Sequence, residues 1–280
     1  SSADAKMDGN LAVLSVVYEL AAGNDYIVNY KVYPSGIVNA SVKFTSTAAE
    51  EAAAELTAEA KEATQSDSGQ RDRRRQESSK LEVPRIGVRF RMPVQMNQVQ
   101  YLGRGPEDNY EDRKMGTLIG YYKTTAEEMY YPYVRPQENG HHSDTRWVAL
   151  NSSSGKGLLI EADKTIGFNS LRNSIEDFDC QESDEDYQWR NMSPQEIANK
   201  DYEAAKNVLR KQTHEADIVP RDFIEVCVDM KQSGVAGYNS WGARPEPGYT
   251  IPANQEYNWG FTLIPISNAS EAPKKIGYKY

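Results

Sequence analysis

Three short segments of the sequence carry residue types that could recognise or transform a polar ligand. The first, residues 101–113 (YLGRGPEDNYEDR), places two glycines and a proline after a predicted strand and follows them with four carboxylates. Such a turn offers hydrogen-bond acceptors to sugar hydroxyls, and it lacks the spacing of a phosphate-binding loop. From the residues alone, an acidic surface loop explains the segment equally well.

The second segment, residues 130–147, contains the adjacent histidines His141 and His142, with an aspartate two residues later. This order suggests a metal site, but adjacent residues on a strand point to opposite faces, and the third histidine of the chain has no ligand-like neighbour at a suitable spacing. We therefore predict no metal site here. We expect Arg146 and Glu138 to form a structural or interface hydrogen-bonded pair instead.

The third segment, residues 237–242 (GYNSWG), places Trp241 among Gly, Asn and Ser and just before a proline-rich stretch. A tryptophan in such a loop is well placed to stack on a sugar, because its ring face buries the C–H groups of a pyranose while the hydroxyls stay solvated. The alternative is a tryptophan that closes the edge of the fold.

The rest of the chain predicts the strands that must position these segments. Its 18 Tyr favour half-buried strands, and its 19 Gly and 13 Pro favour the turns between them. Short runs with alternating or apolar patterns predict strands over residues 11–20, 26–33, 37–44, 86–92, 98–102, 147–150, 157–161, 223–230 and 257–266. We therefore expect a single all-β domain over residues 1–280, built as an antiparallel sandwich.

Residues 48–80 interrupt this pattern. Helix-forming residues fill 48–63, with Thr47 as a plausible N-cap, and a charged stretch without periodicity follows. We interpret 48–80 as a helical or flexible insertion between two strands, with its arginines solvated. A capping pattern predicts one more short helix within residues 184–206.

Composition excludes several classes of function. The formal net charge of −9, from 41 acidic and 32 basic residues, argues against a general nucleic-acid binder. Mean hydropathy is −0.73, and no apolar run is long enough to span a bilayer. The two cysteines, Cys180 and Cys227, permit at most one disulfide. Residues 1–10 lack the pattern of a signal peptide, which leaves both the cytoplasm and the periplasm open.

Four segments together resemble the C-terminal domain of family 2 β-galactosidases, the region called the β-galactosidase small chain. They are residues 84–90 (PRIGVRF), 101–113, 130–147 and 237–242. Their order and separation fit that family, and the resemblance covers nearly the whole chain outside 48–80. It implies a large antiparallel super-sandwich, similar to the galactose mutarotase fold, at the end of a much longer bacterial enzyme.

The resemblance also implies the activity of the longer enzyme, which hydrolyses terminal non-reducing β-D-galactose residues with retention. Two glutamates on a preceding (β/α)₈ barrel act as nucleophile and acid/base, and other domains bind magnesium and sodium. We therefore expect no catalytic residue, cofactor or metal in this chain. The implied partners are the barrel and other domains, the galactoside and a second copy of the enzyme, with no nucleic acid and no membrane.

By motif match, Trp241 stacks on substrate and residues 103–113 border the pocket, with Gly105 as the hinge of that loop because glycine tolerates unusual backbone angles. The substrate-binding residues that the resemblance implies are Trp241, Gly105, Glu107, Asn109, Asp112 and Arg113. The structural or interface residues are Glu138, Asn139 and Arg146.

Two alternatives remain open from the sequence. One is a free mutarotase-like enzyme that interconverts sugar anomers, which needs a general acid and a general base facing one pocket. His142 or His214 together with Glu246 are its candidates. The other is a stand-alone carbohydrate-binding module, which would bind a glycan without further domains.

Overall fold

A computed structural model describes residues 1–20, 24–46, 82–178, 214–239 and 243–272. The predicted insertion at 48–80, the helix predicted within 184–206 and Trp241 lie outside these ranges. Within the described ranges, no helix combines the length and the apolar character needed to cross a membrane.

Eleven strands make up the described sheet. They are β1 (Ser2–Asp8), β2 (Leu11–Glu19), β3 (Asn24–Val32), β4 (Val38–Ser46), β5 (Arg85–Pro93), β6 (Gln98–Gly105), β7 (Leu118–Thr125), β8 (His142–Asn151), β9 (Gly157–Leu171), β10 (Phe223–Gln232) and β11 (Tyr257–Ile266). Short 3₁₀ turns of three residues each occur at Val94–Met96, Lys114–Gly116, Ile175–Asp177, Glu215–Asp217 and Pro247–Tyr249.

Every pairing between these strands is antiparallel. The main path runs β1-β2-β3-β4-β11-β9-β8-β6-β7, and β10 pairs with both β9 and β5. The all-β, antiparallel fold class predicted from the sequence is therefore confirmed.

The long strand β9 turns the sheet into two facing layers. Its first half pairs with β11, whereas its last residues pair with β10. The Tyr26 hydroxyl on β3 donates to the carbonyl of Gly87 on β5 at 2.8 Å, although these strands are not neighbours in the pairing order. The two strands must therefore face each other across the interior.

The main apolar core fills the space between these layers. Strands on both sides contribute fully buried side chains, including Val42 from β4, Tyr101 from β6, Phe168 from β9 and Val226 from β10. Because strand residues alternate between faces, Val226 points into this core while its neighbour Glu225 points the other way. Glu225 is also buried, so β10 is covered on both faces.

Two strands were not predicted from the sequence. The first, β1, is polar and exposed along its length and is held by its pairing with β2. The second, β7, follows the 101–113 segment and lies at the end of the pairing path. Several predicted strands also extend further than expected; β9 runs to Leu171 rather than ending near residue 161.

Candidate functional site

The first predicted segment leaves the sheet where β6 ends at Gly105. Gly105 is buried, and a Cβ added there would lie 2.3 Å from the Tyr101 hydroxyl oxygen. Its φ is not in the left-handed region, so glycine is required by close packing and not by the unusual backbone angles that we expected. The proposed hinge role of Gly105 stays a prediction.

Asn109 fastens the loop that follows to the start of β8. Its side chain is fully buried, and its amide nitrogen donates to the carbonyls of Arg104 and Glu107 at 3.2 and 3.1 Å. Its amide oxygen accepts from the backbone N–H and the hydroxyl of Ser143 at 3.0 and 2.5 Å. These four bonds are all made within the protein, so Asn109 holds the loop in its observed course.

The side chains of His141 and His142 contact backbone carbonyls of the same loop. His141 Nδ1 lies 2.9 Å from the Asn109 carbonyl, so this nitrogen donates and Nε2 carries the lone pair. The ring nitrogens of His142 lie 3.0 and 3.1 Å from the carbonyls of Gly140 and Pro106. Burial lowers the pKa of both histidines, for His141 to about 3, and a neutral His142 donates to one carbonyl at a time. Both rings are therefore neutral supports near pH 7.

A tyrosine, an arginine and an aspartate close the outer side of the loop. The Tyr133 hydroxyl donates to Asp108 Oδ1 at 2.8 Å and accepts from Arg113 Nη2 at 2.6 Å. The Arg113 guanidinium lies 4.5 Å from the centroid of the Tyr110 ring, a cation–π distance. Burial, followed by the bond to Asp108, raises the pKa of Tyr133 to about 12, so its hydroxyl stays protonated.

The last carboxylate of the loop reaches the described part of the third predicted segment. Asp112 Oδ2 accepts from the backbone N–H of Ala236 at 2.6 Å, although the two residues are 124 positions apart in the sequence. A Cβ added at Gly234 would lie 2.5 Å from the same oxygen. The loop after β6 and the segment after β10 therefore meet directly.

The two ends of the segment around Trp241 also approach each other. A Cβ added at Gly237 would lie 2.0 Å from the carbonyl oxygen of Ala243, so only glycine fits there without a shift. Beyond this neck, Arg244 forms an ion pair with Glu82. The described residues on the two sides of positions 240–242 therefore lie next to each other.

The predicted substrate-binding residues occupy different environments. Glu107 is exposed, Arg113 is exposed but paired with Asp108, and Asn109 and Gly105 are buried. Asp112 is partly buried and bound to Ala236. Their roles toward substrate stay predictions, and so does that of Trp241, which lies outside the described residues.

Glu138 and Arg146 do not form the pair that we expected. Arg146 Nη1 donates to the Asp144 carbonyl, while Glu138 Oε1 accepts from Asn169 Nδ2 at 3.4 Å. The expected pairing was wrong because each of the two side chains has another partner. Asn139 acts as a clamp, since its side chain bonds both the N–H and the carbonyl of Tyr131 at 2.9 and 2.6 Å.

A small ion-pair network lies beneath the loop. Asp144, whose φ is 50°, accepts from Arg104 Nε at 2.6 Å and from Lys114 Nζ at 3.0 Å. Partial burial alone would raise the pKa of Asp144, but these two hydrogen bonds outweigh it and lower the pKa. Lys114 also lies 3.3 Å from Glu111, so one lysine interacts with two carboxylates.

An ion pair between the partly buried Arg85 and the buried Asp229 lies between β5 and β10. Arg85 Nε is 3.0 Å from Asp229 Oδ2, and Arg85 Nη2 also donates to Asn169 and Gln232 at 2.6 and 2.9 Å. Burial raises the pKa of Asp229 to about 7 even though Arg85 opposes the shift. His141 Nε2 lies 4.0 Å from Asp229 Oδ2. This cluster joins the support of the loop to the polar face of β10.

The candidates for mutarotase chemistry do not share an environment. His142 is buried against backbone carbonyls, whereas His214 is exposed and lies 3.1 Å from Asp217, and Glu246 is exposed at the start of a 3₁₀ turn. Among the described residues, no cluster of three or more His, Cys, Asp or Glu side chains could hold a metal ion.

Sequence reasoning missed several residues that build this site. They include Tyr133, Ser143 and the backbone of Ala236. Tyr133 stands in a segment that we had singled out, so its aromatic ring beside prolines was an available signal. Ala236 contributes through its main chain, which leaves no signal in the residue type.

Comparison with known proteins shows which family this chain belongs to. The protein-family model described as beta galactosidase small chain matches residues 1–263. The chain belongs to the β-galactosidase small-chain family. The predicted resemblance is therefore confirmed, and the loop, its supports and the Asp112 contact are features of a member of this family.

The similar proteins in this family are much longer than this chain. A β-galactosidase of Priestia megaterium is 33% identical over 185 residues, which cover 66% of this chain and 15% of that protein. A β-galactosidase of Arthrobacter sp. is 37% identical over 102 residues, which cover 35% of this chain and 10% of that protein. The small chain described here thus spans about 15% of the first relatives that it matches.

A galactose mutarotase related enzyme from Lactobacillus acidophilus is among the solved structures that match this chain. It shares 6% sequence identity with the small chain and aligns over 95% of this chain and 71% of that one, with a TM-score of 0.36. The fold described above rests on the strand pairing of this chain itself.

Proposed function

We propose that this chain is the C-terminal domain of a retaining β-galactosidase and that it supplies part of the wall of the galactoside site without supplying a catalytic carboxylate. Membership of the small-chain family makes it part of a β-galactosidase. The observation that carries the finer proposal is the contact of Asp112 with Ala236, which joins the two segments that the resemblance assigns to the pocket.

The wall has two parts in this proposal. The loop of residues 103–113 is the polar border, held by Asn109 and by the Tyr133–Arg113–Asp108 contacts. The segment after β10 leads into Trp241, whose indole ring would stack on the C–H face of the sugar. An aromatic ring contributes affinity for the sugar and fixes its orientation, whereas cleavage of the glycosidic bond needs carboxyl groups.

Those groups lie outside this chain in our proposal. A retaining mechanism uses two carboxyl groups about 5 Å apart on either side of the glycosidic bond, one as nucleophile and one as acid/base. In the loop, Asp108, Glu111 and Asp112 each accept a hydrogen bond or an ion-pair contact from a neighbour. Carboxylates held in this way support the wall and are poorly suited to proton transfer.

The remaining assignments follow from the same resemblance. We place the two catalytic glutamates on a (β/α)₈ barrel of the longer enzyme and the magnesium and sodium ions in its other domains. We also propose that the longer enzyme is a homo-oligomer. No step of the proposed mechanism uses a metal held by this chain.

The test is a pair of Trp241 variants in the full-length enzyme. Replacing Trp241 by Ala removes an aromatic surface whose burial contributes about 1.5–3 kcal/mol, so we expect KM for a galactoside to rise by about 10- to 100-fold. Trp241→Phe should retain most of the affinity because a ring face remains.

The matched control is Tyr238→Ala, because Tyr238 is an exposed aromatic residue of the same loop. We expect it to leave KM within about twofold, as is usual for an exposed side chain. Equal KM values for wild type and Trp241→Ala would contradict the proposed wall.

A further inference from the structure

We infer that Asp112 is a positioning residue that holds residues 233–237 against the 103–113 loop and so fixes the part of the wall that leads into Trp241. This inference rests on the proposed function. It also departs from our expectation that Asp112 binds the sugar directly.

The contact is close at two points of the segment. Asp112 Oδ2 accepts the Ala236 N–H at 2.6 Å, a short bond of the kind that ionised acceptors form. At Gly234, an added Cβ would lie 2.9 Å from Asp112 Cβ, so any larger residue would push the aspartate away. The segment thus presents the Ala236 N–H as a donor to the carboxylate and has a glycine, Gly234, where a larger residue would clash with it.

Asp112 lies at the middle of a short series of anchors. At the start of the segment, the Ser233 N–H donates to the Pro84 carbonyl and the Gly234 N–H donates to the Tyr249 carbonyl, both at 2.8 Å. At its end, Gly237 packs directly on Ala243. Asp112 provides the hydrogen bond between these two points, and it is the anchor that comes from the loop after β6.

The two carboxylate oxygens of Asp112 have different environments. Oδ2 is bonded to Ala236, and Oδ1 is buried and has no hydrogen-bond partner among the described residues. The buried Oδ1 is not accessible to a sugar hydroxyl, and the more exposed Oδ2 is already bonded to the main chain of the segment that it holds. One acceptor oxygen is enough for this role, which means that an asparagine can replace the aspartate.

The first experiment measures hydrogen exchange at the Ala236 amide in this chain. In Asp112→Ala the amide loses its acceptor, so we expect its exchange to become at least about tenfold faster. Asp112→Asn keeps an acceptor oxygen and should exchange within about threefold of the wild type. Glu107→Ala removes an exposed carboxylate of the same loop that does not contact Ala236, so it should leave the exchange of the Ala236 amide unchanged.

The second experiment measures kinetics in the full-length enzyme. Loss of the anchor lets the wall move while the catalytic groups stay in place, so Asp112→Ala should raise KM for a galactoside about tenfold and change kcat by less than about twofold. Asp112→Asn should restore the wild-type KM. A purely structural role would instead lower the amount of folded enzyme and leave the KM of the remainder unchanged.

A reversible cross-link makes the test independent of the hydrogen bond. In the double variant Asp112→Cys/Gly234→Cys, the two Cβ positions start 2.9 Å apart, and a disulfide needs about 3.5–4.5 Å, which a small shift of the segment provides. We expect the oxidised enzyme to have the lower KM and the reduced enzyme the higher one.

These outcomes separate the inference from the proposed function. Unchanged Ala236 exchange in Asp112→Ala overturns the inference and leaves the Trp241 result standing. Faster exchange with an unchanged KM also overturns it, because the anchor then has no effect on the wall. If Trp241→Ala leaves KM unchanged while Asp112→Ala raises it, the proposed stacking fails but the anchor remains.

Discussion

At the scale of single residues, the side chains that look most suited to ligand chemistry build the loop itself. Asn109 shows this best, because an amide in an acidic run would be expected to face water. Its four hydrogen bonds instead join the carbonyls of Arg104 and Glu107 to Ser143, which is 34 positions away from Asn109. The loop is therefore held in one shape before any ligand binds.

We predict that Asn109→Ala destabilises the fold by about 2–4 kcal/mol, because it leaves several buried polar groups without partners at once. Asn109→Asp should cost at least as much, since an oxygen would then face the Arg104 and Glu107 carbonyls. Urea unfolding followed by circular dichroism measures both. Glu107→Ala, an exposed control, should stay within about 0.5 kcal/mol of the wild type. Equal stability of the Asn109→Ala and Glu107→Ala variants would contradict the role of Asn109.

The sequence predicts which residues of this loop matter but not how they act. Residues 103–113 were singled out because Gly, Pro and carboxylates cluster there. Whether Asn109 faces a sugar or Ser143 depends on a contact between β6 and β8 that the residue types do not specify. The same holds for Asp112, whose partner is a main-chain N–H, and any non-proline residue at position 236 would present it.

At the scale of the elements, β10 explains why polar residues can be buried behind the loop. Asp229 lies opposite Gly87 on β5 and Gly167 on β9. A Cβ at Gly87 would lie 2.0 Å from Asp229 Oδ1, and one at Gly167 would lie 2.2 Å from His141 Nε2. Glycines inside strands often mark such close approaches. These two leave the space in which Asp229 and His141 face each other.

This pair should affect the pH dependence of stability in two opposing ways. Burial raises the folded pKa of Asp229 to about 7, while Arg85 opposes this shift and Glu138 adds to it. The unfolded chain therefore loses this proton at a lower pH than the folded protein, and the stability that protonated Asp229 contributes is lost as pH rises from about 4 to 7. Burial, with Arg85 acting in the same direction, lowers the folded pKa of His141 to about 3, so its contribution is lost as pH falls from 6.5.

We predict that single substitutions reveal these two slopes. Between pH 4 and 6.5, Asp229→Asn should become less stable on acidification relative to wild type, and His141→Gln should become more stable. Each slope can differ from the wild-type slope by up to about 1.4 kcal/mol per pH unit. Urea unfolding at several pH values measures them, and parallel curves for all three proteins would contradict the prediction.

The strands themselves were largely predictable, and the exceptions have physical reasons. Runs such as residues 257–266 alternate or are continuously apolar, and β11 covers them fully. The end of β9 was missed because residues 162–171 pass from one layer to the other, so the pattern of burial changes within the strand. Polar β1 was missed because its stability as a strand depends on pairing with β2.

At the scale of the whole molecule, the fold brings together two segments that lie far apart in the sequence. The loop after β6 and the segment after β10 leave different layers of the sheet and meet at Asp112 and Ala236. No residue pattern predicts this meeting; only the resemblance to the β-galactosidase family did. In the proposed function, this junction is one part of a wall whose other parts belong to the longer enzyme.

Assays of the isolated chain therefore test most directly whether the catalytic groups lie in other domains. We predict that the isolated chain cleaves no measurable nitrophenyl β-galactoside. Neighbouring donors engage Asp108, Glu111 and Asp112, which leaves Glu107 as one exposed loop carboxylate, whereas a retaining mechanism needs two carboxyl groups. Polarimetry should show that it does not accelerate the anomerisation of galactose, since His142 is buried against carbonyls and cannot exchange protons with a sugar. Hydrolysis by the purified chain would contradict the placement of the catalytic acids in other domains. Anomerisation would favour the mutarotase alternative, and tight glycan binding without catalysis would favour a stand-alone binding module, because a single wall should bind a sugar only weakly.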